Sequence, residues 1–238
     1  MLSMRTLLIV SADSEEAIEQ ARGTQADVIV LDLEDNVAPS AKEAARGRLR
    51  ERVAALKGAG RAVFVRVNGL SSGLTRDDLV AAVGPGLDGL VHPKTEAAQQ
   101  VRQLDVLIRE QETRSGVKAG GIVLLPQIES ARGLLRCEEI VLASSRIGGL
   151  SLGGRDFAAD LGVPRTRDGR ELQHARYVIA TVCAAYRLAA IDAAFAGAGD
   201  EAGLVAHAEL AKSIGFKGKN VVDASQVDAV NRVFAAEA

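Results

Sequence analysis

Residues 28–35 read VIVLDLED: four aliphatic side chains in an unbroken run, followed by Asp32, Glu34 and Asp35. A strand buried on both faces reads as a continuous aliphatic run rather than an alternating one, and in α/β folds the chemistry gathers where such strands end. The same pattern recurs down the chain. VFVRVN (63–68) carries Arg66, IVLLPQIE (122–129) ends on Glu129, and IGGLSLGGRD (147–156) ends on Asp156. Three acidic clusters and an arginine are thereby delivered to what reads as one face.

Eight candidate strands emerge, at residues 6–11, 28–33, 63–67, 89–93, 122–128, 147–152, 190–195 and 220–224. Amphipathic stretches lie between them, with plausible N-caps at Ser14, Ser40, Thr95 and Ser130. Short turns joining strand to helix suit a parallel sheet with right-handed crossovers. Eight such units predict a (β/α)8 TIM barrel, a single domain over residues 1–238, whose sites lie at the C-terminal mouth of the strands. A doubly wound open sheet is the alternative. It is disfavoured because the turn after the first strand, SADSEE, lacks the glycine-rich dinucleotide fingerprint.

The 238 residues fall in the range of one closed barrel. A hydrophobic content of 47% with 25% charged residues is ordinary for a soluble protein, and a net charge of −2 argues against a generic polyanion binder. With 3% aromatics and no tryptophan, a base-stacking platform lacks its residues, so nucleic acid is an unexpected partner. Cys137 and Cys183 sit in segments that read as helical, with no metal-ligand spacing, and fit small buried hydrophobes of a reduced protein. The opening MLSMRTLLIV runs into an acidic helix start too soon for a secretory core, and no segment approaches a membrane span. A cytoplasmic location is the expectation.

Glu129 and Asp156, on different strands, form the strongest constellation. Two carboxylates and several waters are how Mg2+ is usually held, whereas His92, His174 and His207 are too scattered to make a zinc set. Equally, Glu129 could start one helix and Asp156 cap the next. An arginine inside an apolar run needs an anion, so Arg66 is expected to bind a ligand carboxylate, or else to pair with Asp32 or Glu34 on the neighbouring strand.

The strings LDLEDNVAPSAKEAAR, VRVN, HPKTE, LPQIES, LGGRDFAADLG, AIDAAF, DEAGLVAHAELAKSIGFKGK and QVDAVNRVF follow one another in an order that resembles the citrate lyase beta subunit (CitE-like) group of the HpcH/HpaI aldolase superfamily. The resemblance runs over nearly the whole chain. It implies a TIM barrel that binds Mg2+ and cleaves or forms a carbon-carbon bond in a 3-hydroxyacyl-CoA thioester of citryl, malyl or citramalyl type, with an acyl-CoA and a 2-oxo acid as the other partners. Position by position, it implies Glu129 and Asp156 as metal ligands and Arg66 as the carboxylate clamp.

Mg2+ in such a retro-Claisen cleavage acts as a Lewis acid. Backbone amides of Gly153 and Gly154 would help hold the carboxylate, and Asp32, Glu34 and Asp35 would stand around the ion, orient Arg66 and include the catalytic acids. Lys94 would either neutralise the acids or touch substrate. Lys42 and Arg46 fit a solvated basic face better than a contact with CoA phosphates.

Two positions depart from the family pattern: Arg155 stands where Glu usually precedes the metal-binding Asp, and VVDASQ replaces the usual IHP followed by Q. The chain also reads as lacking the C-terminal lid of longer malyl-CoA lyases. The general base is left among Asp35, Asp223 and a metal-bound hydroxide. The departures keep open an aldolase acting on free hydroxy-oxo acids and a non-catalytic subunit that binds a 2-oxo acid or thioester. Glycines in GAGDEAG and FKGKN allow, more weakly, a phosphate-binding isomerase. A homo-oligomer, trimer or hexamer, is the expected assembly.

Overall fold

The computed structural model describes residues 2–197 and 199–235. Eight parallel strands, β1 (Thr6–Ser11), β2 (Val28–Asp32), β3 (Ala62–Arg66), β4 (Gly89–His92), β5 (Val123–Ile128), β6 (Gly149–Leu152), β7 (Ala189–Asp192) and β8 (Gly218–Val221), close into a barrel in sequence order. β1 pairs with both β2 and β8, so the sheet has no free edge. The expected TIM barrel is what the chain forms.

The helices are α1 (Glu15–Gly23), α2 (Lys42–Gly47), α3 (Leu49–Gly58), α4 (Thr75–Ala82), α5 (Ala98–Ser115), α6 (Ala131–Leu134), α7 (Cys137–Val141), α8 (Gly154–Asp160), α9 (Gln173–Ala185), α10 (Glu201–Ile214) and α11 (Val227–Val233). Two of the four expected caps hold: Ser14 accepts the Ala17 N–H at 3.2 Å and Ser130 that of Gly133 at 3.1 Å. Ser40 instead lies within a 3-10 turn, Pro39–Ala41, and Thr95 sits two residues before the N-cap of α5. The Thr95 hydroxyl is taken by its own turn, donating to the His92 carbonyl and meeting His92 Nδ1 at 2.7 Å.

Side chains alternate across a strand, so each strand feeds two layers. The inner one packs Leu7, Val28, Val30, Phe64, Val91, Leu125 and Ile191 at the bottom and middle of the barrel. The outer layer, between sheet and helices, is the larger core. Continuing the inner rows upward by two residues gives Asp32 after Val30, Arg66 after Phe64, and Gln127 after Leu125. Barrel filling therefore changes from apolar to polar at the C-terminal ends, where the site lies.

β7 and β8 begin one and two residues earlier than the aliphatic pattern suggests, and end at Asp192 and Val221. Asp192 and Lys219 face outward in register and pair at 2.7 Å, which hides a polar pair inside strands. Gly218 is a strand residue whose absent Cβ makes room for the Met4 carbonyl, so the FKGKN glycine is consumed by packing.

Candidate active site

Asp32 and Arg66 are directly opposite in the β2–β3 register. The guanidinium meets the carboxylate in two parallel bonds, Nε to Oδ1 at 2.7 Å and Nη2 to Oδ2 at 2.6 Å, while Nη1 lies 3.4 Å from Glu34 Oε2. Both arginine and aspartate are buried. Burial alone would lower the Arg66 pKa, but Asp32, Glu34 and Glu129 raise it well above its ordinary value, so it stays charged. Asp32 also accepts the backbone N–H groups of Glu34 and Asn36, at 2.9 and 3.0 Å, and so shapes the LDLED turn. The ion pair foreseen from sequence exists, and it fixes the arginine without using its whole donor edge: Asp32 takes two of five N–H groups.

Lys94 follows β4 with φ of 51°, a left-handed conformation uncommon for a side-chain-bearing residue and concentrated at functional sites. That backbone twist sends its N–H to Glu129 Oε1 at 3.2 Å and its ammonium to Glu34, with Asp35 Oδ1 3.7 Å away. Of its two expected roles, neutralising the acids is the one its contacts display. Arg155, after β6, bonds Asp35 and reaches Asp156 Oδ1 at 3.3 Å.

Glu129 and Asp156, 27 positions apart, come close enough for each to shift the other's protonation. Burial first, then Asp156 and the charge of Glu34, push the Glu129 carboxyl up to about 9. Burial would also raise Asp156, but its bond with Glu129 and the positive charge of Arg155 bring it below its ordinary value. Glu129 Oε2 and Glu34 Oε2 are both buried without a hydrogen-bond partner, a costly state for an acceptor oxygen. Gly153 is required beside them: a Cβ there would lie 2.6 Å from Glu129 Cγ. Its N–H donates to the Ile128 carbonyl at 2.9 Å, so it is spent on the chain rather than on a ligand, contrary to the expected role. The Gly154 N–H opens α8.

Among the described residues no three His, Cys, Asp or Glu gather as a ready metal cage. A metal here would rest on the carboxylate pair and water, the arrangement that suits Mg2+. Unpartnered oxygens on a buried acid next to a second acid fit that demand.

Of these groups Arg66, Gly153, Arg155 and Asp156 border a cavity of about 260 Å3 at the barrel mouth, which Gln127, Arg165 and Phe195 also line. A larger hollow, about 610 Å3, lies between residues 166–170 and α10. Its rim arginines are paired with Asp168 and Asp200 and its lining includes neither Arg66 nor Asp156, both of which line the smaller cavity. Gln127 and Arg165 were not legible as site residues. Gln127 follows from the two-residue period of β5, whereas Arg165 comes from the α8–α9 loop with no pattern to mark it.

Lys42 donates to the carbonyls of Leu33 and Glu34 at 2.6 and 2.7 Å, and Arg46 pairs with Asp78 at 2.6 Å. Neither makes the expected solvated face; both brace the loop after β2. Asp223 accepts from Ser225 and caps a 3-10 turn. Cys137 and Cys183 are free, buried thiols, raised to about 12 by burial. No helix among the described residues is long and apolar enough to cross a membrane.

The sequence model of the HpcH/HpaI aldolase/citrate lyase family matches residues 5–224. The chain is 33% identical over 231 residues to the citrate lyase subunit beta of Leuconostoc mesenteroides subsp. cremoris, covering 97% of this chain and 76% of that protein. A (3S)-malyl-CoA thioesterase of Cereibacter sphaeroides is 32% identical over 230 residues, with the same coverage. Among solved structures, the citrate lyase beta subunit from Mycobacterium tuberculosis complexed with oxaloacetate and magnesium superimposes with a TM-score of 0.77 at 26% identity, covering 98% of both chains.

Proposed function

Because this chain belongs to the HpcH/HpaI aldolase/citrate lyase family and is on that ground a carbon-carbon lyase, we propose that it is a Mg2+-dependent enzyme cleaving a 3-hydroxyacyl-CoA thioester of citryl, malyl or citramalyl type into an acyl-CoA and a 2-oxo acid. The observation that carries the reading is a charge imbalance at the mouth. Asp32, Glu34, Asp35, Glu129 and Asp156 are five carboxylates against the three cations that ion-pair with them, Arg66, Lys94 and Arg155. A divalent cation would cancel the difference of two charges; a proton on Glu129 cancels only part of it.

Glu129 and Asp156 would hold the ion, which when bound supplies Lewis-acid stabilisation to oxygens of the hydroxy-acid end of the substrate. The protein's own residues do the rest. Arg66 would clamp the substrate carboxylate with the guanidinium edge that Asp32 leaves over, its orientation fixed by that partner. Glu34 ties Arg66 and Lys94 together and keeps both charged. Asp35 would take the proton of the 3-hydroxyl; it is the acid of the LDLED turn that stays exposed, beside Lys94 and Arg155. As that proton leaves, the hydroxyl-bearing carbon becomes the 2-oxo carbonyl of the acid, the bond to the neighbouring carbon breaks, and its electron pair passes into the thioester enolate. Return of the proton to that carbon yields the acyl-CoA, so atoms and charge balance.

Incubation with citryl-, malyl- and citramalyl-CoA, with Mg2+ and with chelator, tests this: 2-oxo acid and acyl-CoA should appear in equal amounts, only with the metal. Release of free CoA would favour thioester hydrolysis, the activity that names the Cereibacter relative. Pyruvate formed from a CoA-free hydroxy-oxo acid would replace the reading with an aldolase.

A further inference from the structure

We propose that Arg165 is a specificity residue of this cavity, holding a second carboxylate so that the site favours dicarboxylic over monocarboxylic 2-oxo acids. This rests on the function proposed above and extends it to substrate class. Arg165 stands in the loop after α8 and borders the same cavity as Arg66. Its Nε bonds Glu171 Oε1 at 2.8 Å; Glu171, itself almost fully buried, also accepts from the Thr166 hydroxyl. One edge of the guanidinium is thus anchored from behind.

The other edge is nearly free. Nη2 has a single long contact, 3.5 Å to the Ala194 carbonyl, and Nη1 passes over Gly154, where a Cβ would lie only 2.6 Å away. A glycine at the first residue of α8 is what lets the fork reach the mouth. The other two cations of the cavity differ, since Arg66 and Arg155 each meet two acids. The cavity that Arg165 borders is lined also by Gly153, Gly154, Ala194, Phe195, Ala196 and Val222, and the one carboxylate in its lining, Asp156, pairs with Arg155. A rigid guanidinium with its terminal nitrogens on a small, largely apolar wall is suited to a carboxylate in bidentate geometry. The hydroxy-acid end is already claimed by Arg66 and the Glu129–Asp156 pair, so the anion that Arg165 receives is the substrate's second carboxylate.

Calorimetric binding of freshly prepared oxaloacetate and of pyruvate, each with Mg2+, separates this from other roles. Wild type should bind oxaloacetate more tightly; Arg165→Gln should weaken oxaloacetate about tenfold or more, the effect of one charged hydrogen-bonded contact, while leaving pyruvate unchanged. Arg165→Lys should fall between, keeping the charge but losing the fork. Unchanged pyruvate binding also reports that the variants are folded. Equal losses for both acids, or none for either, overturn the specificity role while leaving the active-site reading intact. Failure of the wild type to bind either acid removes both.

Discussion

Two groups of buried charge sit at strand ends of this barrel, on opposite sides of the sheet. Outside, under α9 and α10, Asp192 is bound by Arg176 at 2.8 Å and Lys219 at 2.7 Å, and both bases also contact His207. Inside, Glu129 and Glu34 each keep a buried oxygen without a hydrogen-bond partner. Both oxygens of the outer aspartate are bonded by its own chain, Arg176 Nη1 being the one atom of the cluster left without a hydrogen-bond partner among the described residues, and its pKa falls well below the carboxylate range because Lys219 and Arg176 outweigh its burial. The inner acids outnumber the cations they pair with, and burial together with Asp156 and Glu34 raises the Glu129 carboxyl. Charge closed by the fold holds structure; charge left open holds a ligand.

Cutting each cluster at its acid should separate them most. Asp192→Ala strands Arg176 and Lys219 in the interior and should cost about 3–5 kcal/mol in chemical denaturation. Glu129→Gln removes a misplaced acid and should leave stability equal or higher, while lowering kcat/KM on the thioester substrate about 1,000-fold, near 4 kcal/mol of transition-state stabilisation. Comparable destabilisation by both would erase the distinction.

The pH dependence should also run in opposite directions. Burial, and then Lys219, hold His207 at about 3 against an ordinary 6.5; the unfolded chain takes up a proton that the folded one refuses, so stability drops as pH falls through that window. His92, at about 4 through burial, adds to the same limb. Glu129 is raised to about 9 from 4.5, so the metal-free protein should instead lose stability as pH rises between those values. In a thermal-melt series across pH, Mg2+ or Glu129→Gln should flatten the alkaline limb and leave the acid limb in place.

The smallest effect is expected from Arg155, whose side chain is 69% exposed. Its pairing with Asp35 and Asp156 competes with a cation, and Arg155→Ala should tighten Mg2+ about two- to fivefold by titration calorimetry, the scale of an exposed ion pair. A weaker Mg2+ complex would show that Arg155 assists the site.

Much of this was legible in the sequence, because aliphatic runs mark buried strands and the acids at their ends fall on the mouth by construction. Asp32, Arg66, Glu129 and Asp156 were found that way. The two-residue period also carries Gln127 into the cavity, though an amide in IVLLPQIE gives no sign of chemistry. Lys94 was suspected, but its left-handed backbone, which aims an N–H at Glu129, depends on the turn after β4 and is invisible to periodicity. Arg165 sits in a loop, where position follows from packing against Gly154 and Glu171 rather than from spacing. Lys219 was hidden by its neighbours: GKN reads as a turn, and only the Asp192 partner on the next strand justifies a lysine facing the core.

The most direct test is a crystal of the protein soaked with Mn2+ in place of Mg2+, measured for anomalous scattering. A single strong peak coordinated by Glu129 and Asp156, with Arg66 still paired to Asp32, is the expected result. A peak elsewhere, or no metal between those two carboxyl groups at millimolar Mn2+, would contradict a divalent-ion site at the barrel mouth.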